Sequence, residues 1–142
     1  MFNISLSETM HQLMHSYTNL LLKGIQLQKL DLSVTHIRTL KCVCHNSKST
    51  AQSIAKHMQR DKAQITRALN DLLAAELIFK TDNPLDGRSQ LLQATPKGED
   101  VMGKLDLAEK WAVEQLTQNL KAEELALFLR VSRIMVESTV KL

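Results

Sequence analysis

The stretch Asn-Pro-Leu-Asp-Gly-Arg-Ser-Gln at residues 83–90 constrains the fold of this chain more than any other. The whole sequence holds only four glycines and two prolines, and one of each falls here. Pro-x-Asp-Gly between apolar flanks is turn chemistry. Proline presets its own φ, Asp86 bonds nearby backbone, and Gly87 is expected to supply a positive φ. The flanks, residues 77–82 and 89–94, have the length and apolar content of short strands. Together they predict a hairpin whose tip pushes Arg88 into solvent. What precedes the hairpin decides what that arginine is for.

Upstream the pattern predicts helix, turn, helix. Ser49 or Thr50 can cap a helix carrying Ile54, Ala55 and Met58 on its inner face. After Gln59-Arg60, the run Asp61-Lys62-Ala63-Gln64 has capping-box spacing, with Asp61 as N-cap and Gln64 reaching back. The helix it opens runs to about Ala75. At about 100° per residue, Ile65, Leu69, Leu72 and Leu73 share one face. Ala63, Arg67 and Asn70 lie opposite, flanked by Gln64 and Thr66. That outward face is small or hydrogen-bonding, and its one charge is positive. Such a surface suits base edges: Gln for adenine, Arg for guanine, short residues beside thymine methyls. A solvated face more often mixes Glu and Lys, and neither occurs on it.

Charge supports the same segment. Residues 47–98 hold eight bases and five acids, an excess of three that equals the net charge of the whole chain, +3. The remainder balances at ten of each sign, so the middle of the chain carries the entire excess, as expected where a polyanion is met.

Both ends are helical by periodicity. Leu6, Met10, Leu13, Tyr17, Leu20, Gly24 and Leu27 recur at heptad-like spacing over about 22 residues. A second helix fits residues 33–46, with Ile37, Leu40 and Cys44 inward. Towards the C-terminus, Val101, Leu105, Ala108, Ala112, Leu116 and Leu120 form one stripe. Leu125, Phe128, Leu129, Ser132, Met135 and Val136 form another. The middle segment looks self-contained and too small to cover all of these faces, which favours a symmetric pair of chains.

A hairpin directly after a helix-turn-helix is the winged-helix arrangement. A wing tip beside a recognition helix lands on the adjacent minor groove, where negative potential attracts an inserted arginine. Asp86 would be repelled by DNA, so its expected role is to hold the turn and orient Arg88.

On these features the sequence resembles the MarR family of bacterial transcription regulators. The stretches that carry the resemblance are residues 49–78, the wing Asp86-Gly87-Arg88, and residues 92–101, where Thr95 and Gly98 match a Leu-Thr-x-x-Gly ending. The resemblance implies a mainly α fold with a small β-hairpin wing and long N- and C-terminal dimerisation helices. Residues 1–30 and 99–142 would form the dimerisation region, and 31–98 the DNA-binding lobe. It further implies a homodimer reading a pseudo-palindromic operator in double-stranded DNA, most simply as a repressor, in the bacterial cytoplasm at the nucleoid. The candidate DNA-binding residues are Ser49, Thr50, Lys62, Ala63, Gln64, Thr66, Arg67, Arg88 and Ser89, with Asp86 orienting the wing. Relatives of this kind bind small aromatic acids or phenols between the dimer helices and the lobe. His11, Met14, His15 and Tyr17 are placed to border such a pocket. The turn after the recognition helix departs from the family, since Glu76 stands where relatives often have Gly. No cysteine precedes Cys42, which argues against the hydroperoxide-sensing branch.

Other classes find little support. No Gly-rich phosphate loop or His-Glu-x-x-His occurs, and His11, His15, His36, His45 and His57 make no metal-ligand spacing, so an enzyme, a cofactor and a metal are not expected. Cys42 and Cys44 would point about 200° apart on a helix and cannot bond to each other. They are expected as small semi-buried hydrophobes in a reducing compartment. No apolar run approaches the roughly 18 residues of a membrane span, and the first ten residues lack the basic region of an export signal. A winged-helix module that binds protein rather than DNA is the alternative.

Overall fold

The computed structural model describes residues 5–46 and 48–140; positions 1–4, 47 and 141–142 of the expected dimerisation region and lobe lie outside them. Six helices and one hairpin follow in order: α1 (Leu6–Leu27), α2 (Val34–His45), α3 (Ala51–Met58), α4 (Lys62–Ala74), β1 (Ile78–Asp82), β2 (Gln90–Ala94), α5 (Pro96–Thr117) and α6 (Ala122–Thr139). The expected mainly α, winged-helix architecture is what forms.

Short polar side chains start most helices by accepting orphan backbone N–H groups. Ser5, Ser33, Thr50 and Thr95 each accept from the third residue onward. Thr50, rather than Ser49, is the cap of α3, in a reciprocal box with Ser53. Asp61 is the N-cap of α4 by position, but neither its carboxylate nor Gln64 closes the expected box. Both are exposed, so water satisfies these donors as well as a side chain would.

Three helix ends turn through the left-handed region without glycine. Lys29, Gln59 and Glu76 have φ of 57°, 52° and 60°. At Glu76 the N–H donates to the Leu73 carbonyl and that of Leu77 to Leu72, the paired bonds of a Schellman motif. Glu76 thus adopts the conformation for which glycine is usually chosen, and the turn geometry is kept.

The core lies where the lobe helices meet α1 and α5. Ile25, Ile37, Leu40, Ile54, Ile65, Leu72 and Leu105 are its most buried large side chains. On α2 the buried residues are Ile37, Thr39, Leu40 and Val43, whereas Cys44, expected inward, is only half-buried at the edge of the core. The stripe of α1 is covered only in its second half, around Leu21, Gly24 and Ile25; Leu6, Met10, Leu13 and Leu27 are exposed. No described residue of α6 is buried, and Phe128, Leu129, Met135 and Val136 all face solvent.

The hairpin pairs Ile78 with Ala94 through to Asp82 with Gln90, antiparallel. Ser49 adds one bridge to Leu92, whose N–H donates to the Ser49 carbonyl at 2.8 Å. That bridge ties the entrance of α3 to the wing and fixes the angle between them.

Candidate nucleic-acid interface

α4 lies beside the hairpin, and a groove of about 610 Å3 runs between them. Lys62, Thr66 and Asn70 line it from α4, Lys80 and Arg88 from the hairpin, and Thr50 and Gln52 from the start of α3. Three of the lining charges are positive and one, Asp86, is negative. Asp86 is engaged by the turn: its Oδ1 accepts the backbone N–H of Arg88 at 3.0 Å. Arg88 itself is exposed and takes no part in either of the close contacts between basic and acidic side chains among the described residues, the Lys41–Glu109 ion pair and the His36–Asp71 hydrogen bond. The result is a cationic, hydrogen-bonding trough bordered by the positive end of the α4 dipole.

The sequence-predicted residues distribute unevenly around it. Lys62, Thr66, Arg88, Thr50 and Ser89 line the groove; Ala63, Gln64 and Arg67 are exposed further round α4. Ser49 must be withdrawn from the surface set. It is fully buried, and its hydroxyl donates to the carbonyls of Cys42 and Asn46 at 3.2 and 2.9 Å. Ser89 is half-buried, with its Oγ accepting from Asn83 at 3.0 Å. Gly87 does not take a positive φ; no described glycine does. The loop is instead two successive turns with ordinary backbone angles, each held by an Asn or Asp side chain.

Gln52, Asn70, Lys80 and Gln90 also line the groove and were not among the predicted site residues. Strand alternation holds the signal for Lys80. It shares a face with Ile78, which is buried, so two residues further along, the same face emerges at the rim of the core.

Residues 30–89 match the model of the MarR family. Over this segment, which holds α2 to α4 and the first strand of the wing, the chain is similar to the MarR family. HTH-type transcriptional regulator BilQ of Clostridioides difficile (strain CD3) is 33% identical over 67 residues, a match spanning 46% of this chain and 45% of that protein. Over nearly the full chain the fold is that of MarR from E. coli. Its wild-type apo form superposes with a TM-score of 0.83 at 22% identity, covering 94% of this chain and 98% of that one. A mutant of the same E. coli protein, complexed with operator DNA, gives 0.82 at 22% identity, covering 92% of each chain.

Behind this lobe a second cleft, about 620 Å3, lies between α1 and α2 and reaches α3 and α5. Met14, Tyr17, Arg38, Lys41, Arg60 and Glu109 are among its lining residues. Of the four pocket residues expected from the sequence, the structure brings Met14 and Tyr17 into this cleft. His11 sits by a separate hollow with Leu6 and Met10, and His15 lies on the surface 3.2 Å from Asn19. Lys41 Nζ stands 2.7 Å from both carboxylate oxygens of Glu109, joining α2 to α5. Burial, then Glu109, push the Tyr17 hydroxyl upward in pKa, with Lys41 opposing. The phenol therefore stays protonated and can donate a hydrogen bond. Burial also raises both thiols, Cys44 to about 11 with Glu99 and Asp106 adding to it. Among the described residues, no three His, Cys, Asp or Glu stand close enough to hold a metal ion. No helix among them is long and apolar enough to cross a membrane.

Proposed function

We propose that this chain is a homodimeric, sequence-specific DNA-binding regulator, acting as a repressor on pseudo-palindromic operators in the bacterial cytoplasm. The observation that carries the reading is the groove in which Lys62, Thr66 and Asn70 of α4 face Lys80 and Arg88 of the wing. α4 enters a major groove, with Ala63, Gln64, Thr66 and Arg67 along the base edges. Arg88 reaches the neighbouring minor groove, and Lys62, Thr50 and Ser89 meet phosphates between them.

Dimerisation uses α1, α5 and α6. The exposed apolar face of α6, with Leu127 at 56% and Val136 at 64% exposure, supports burial of this helix against another chain. The uncovered half of α1 adds Leu6, Met10 and Leu13 to it. Two recognition helices in successive major grooves would then stand about 34 Å apart, or about 10 base pairs.

A small aromatic acid is the proposed effector, held in the cleft between α1 and α2. Arg38 and Arg60 supply positive charge there beyond the paired Lys41 and Glu109, Tyr17 a hydrogen-bond donor, and Met14 and Leu21 apolar walls. Such a ligand releases DNA only to the extent that it binds one spacing of the lobes better than the other.

The test is selection of bound duplexes from a randomised pool by the purified protein, with its mass in solution measured alongside. Two inverted half-sites about one helical turn apart and a mass of two chains are expected. A monomer, or a pool that enriches no sequence, would remove this function and leave a protein-binding winged helix.

A further inference from the structure

We infer that Asn83, outside the Asp-x-Arg element of the wing, is a positioning residue that sets where Arg88 stands; this rests on the DNA-binding reading above. Residues 83–89 join β1 to β2 as two turns in tandem that share Asp86. The Asn83 carbonyl accepts the Asp86 N–H at 3.3 Å, and the Asp86 carbonyl accepts the Ser89 N–H at 3.3 Å. Each turn begins with a side chain that mimics a backbone acceptor. Asn83 Oδ1 accepts the N–H of Leu85, and Asp86 Oδ1 that of Arg88, both at 3.0 Å.

Only Asn83 reaches across both turns. Its Nδ2 donates to Ser89 Oγ at 3.0 Å, so the first residue of the loop is bonded to the last. Asn83 and Ser89 are half-buried, while 84–88 are all exposed and Leu85 at the tip is 84% exposed. No apolar packing holds the tip. Its shape rests on these hydrogen bonds, and Asn83 supplies three of them. Asp86 fixes the peptide before Arg88 locally, but the orientation of that whole second turn relative to the strands depends on the Asn83–Ser89 link. A looser loop would have to be ordered on binding, and the entropy lost in ordering it lowers affinity.

The experiment titrates wild type, Asn83→Ala, Arg88→Ala and the double variant against one duplex enriched by the wild type, with thermal melting of each. Asn83→Ala is expected to bind about tenfold more weakly, as for loss of one ordered groove contact, with an unchanged melting temperature. In the Arg88→Ala background it is expected to cost nothing more, because two residues acting through one contact are not additive. The same cycle with Asn83→Ser, which keeps an acceptor for Leu85, reads a smaller loss that also vanishes without Arg88. Equal losses in both backgrounds, or wild-type binding by Asn83→Ala, would overturn the inference while leaving the DNA-binding reading intact. A wild-type protein that enriches no duplex overturns both.

Discussion

A Cβ placed on Gly24 would stand 2.8 Å from the carbonyl oxygen of Ala108, so α1 and α5 cross there backbone to backbone. This crossing joins the first helix to the one that leads out of the wing, and through Lys41–Glu109 α5 is tied in turn to α2. The lobe and the proposed dimer helices therefore share one rigid junction.

Gly24→Ala is expected to destabilise the fold by about 1–3 kcal/mol, the range for overpacking at a site that must shift to fit a methyl. Gly103 is the control. It lies in α5 with open space around it, so Ala there should gain about 0.5–1 kcal/mol from helix propensity. Urea unfolding of the two variants checks this, and equal effects would show that the crossing is not tight.

Glu76 offers the opposite case. A non-glycine residue in the left-handed region costs about 1–2 kcal/mol, and glycine gives back about 0.5–1 of that relief through its floppier unfolded state. Glu76→Gly should therefore stabilise by roughly 0.5–1 kcal/mol, read as a raised urea midpoint. A lower midpoint would mean that the Glu76 side chain contributes more than its backbone costs.

Much of this was legible in the sequence because helical and strand periods are local properties. The 22-residue α1, the outward face of α4 and the register-defining flanks of the wing follow from side-chain spacing alone. What the spacing does not encode is which neighbour arrives. Ser49 reads as a surface cap until the Leu92 bridge buries it. Gly87 reads as a left-handed turn residue until Asn83 and Asp86 build two turns that need no positive φ. Lys80 has no motif around it, and its place in the groove depends on how the hairpin folds back on α4. The heptad stripe of α1 runs straight on paper, yet α5 covers only its second half, leaving Leu6 and Met10 exposed.

Arg67 lies round α4 from the groove and is exposed, and the proposed function has it reading a base edge rather than following the wing. Arg67→Ala is expected to lower affinity for the selected duplex by about 1–3 kcal/mol and to relax preference at one base pair per half-site. Repeating the randomised selection with the variant measures it. A uniform loss over all sequences would make Arg67 a phosphate contact instead.

Cys44 gives the protein an alkaline limit. Its thiol is held up to about 11, first by burial and then by Glu99 and Asp106, against an ordinary value of 9.0. The folded state thus keeps a proton that the unfolded chain releases. The stability linked to this group is fully present below pH 9 and is lost as pH rises towards 11. Replacing Cys44 with Ala should flatten the fall in stability over that window in urea melts at stepped pH. Parallel curves for the two proteins would show that other groups set the limit.

The central claim is that two copies of the α4–wing surface together grip the phosphates of one duplex. Titrating the selected duplex at a series of salt concentrations measures it directly. If each lobe neutralises roughly 4–5 phosphates, the logarithm of affinity should fall with that of salt at a slope of about −7 to −9. A slope near zero would contradict it, because binding that releases no counterions is not made through the cationic groove.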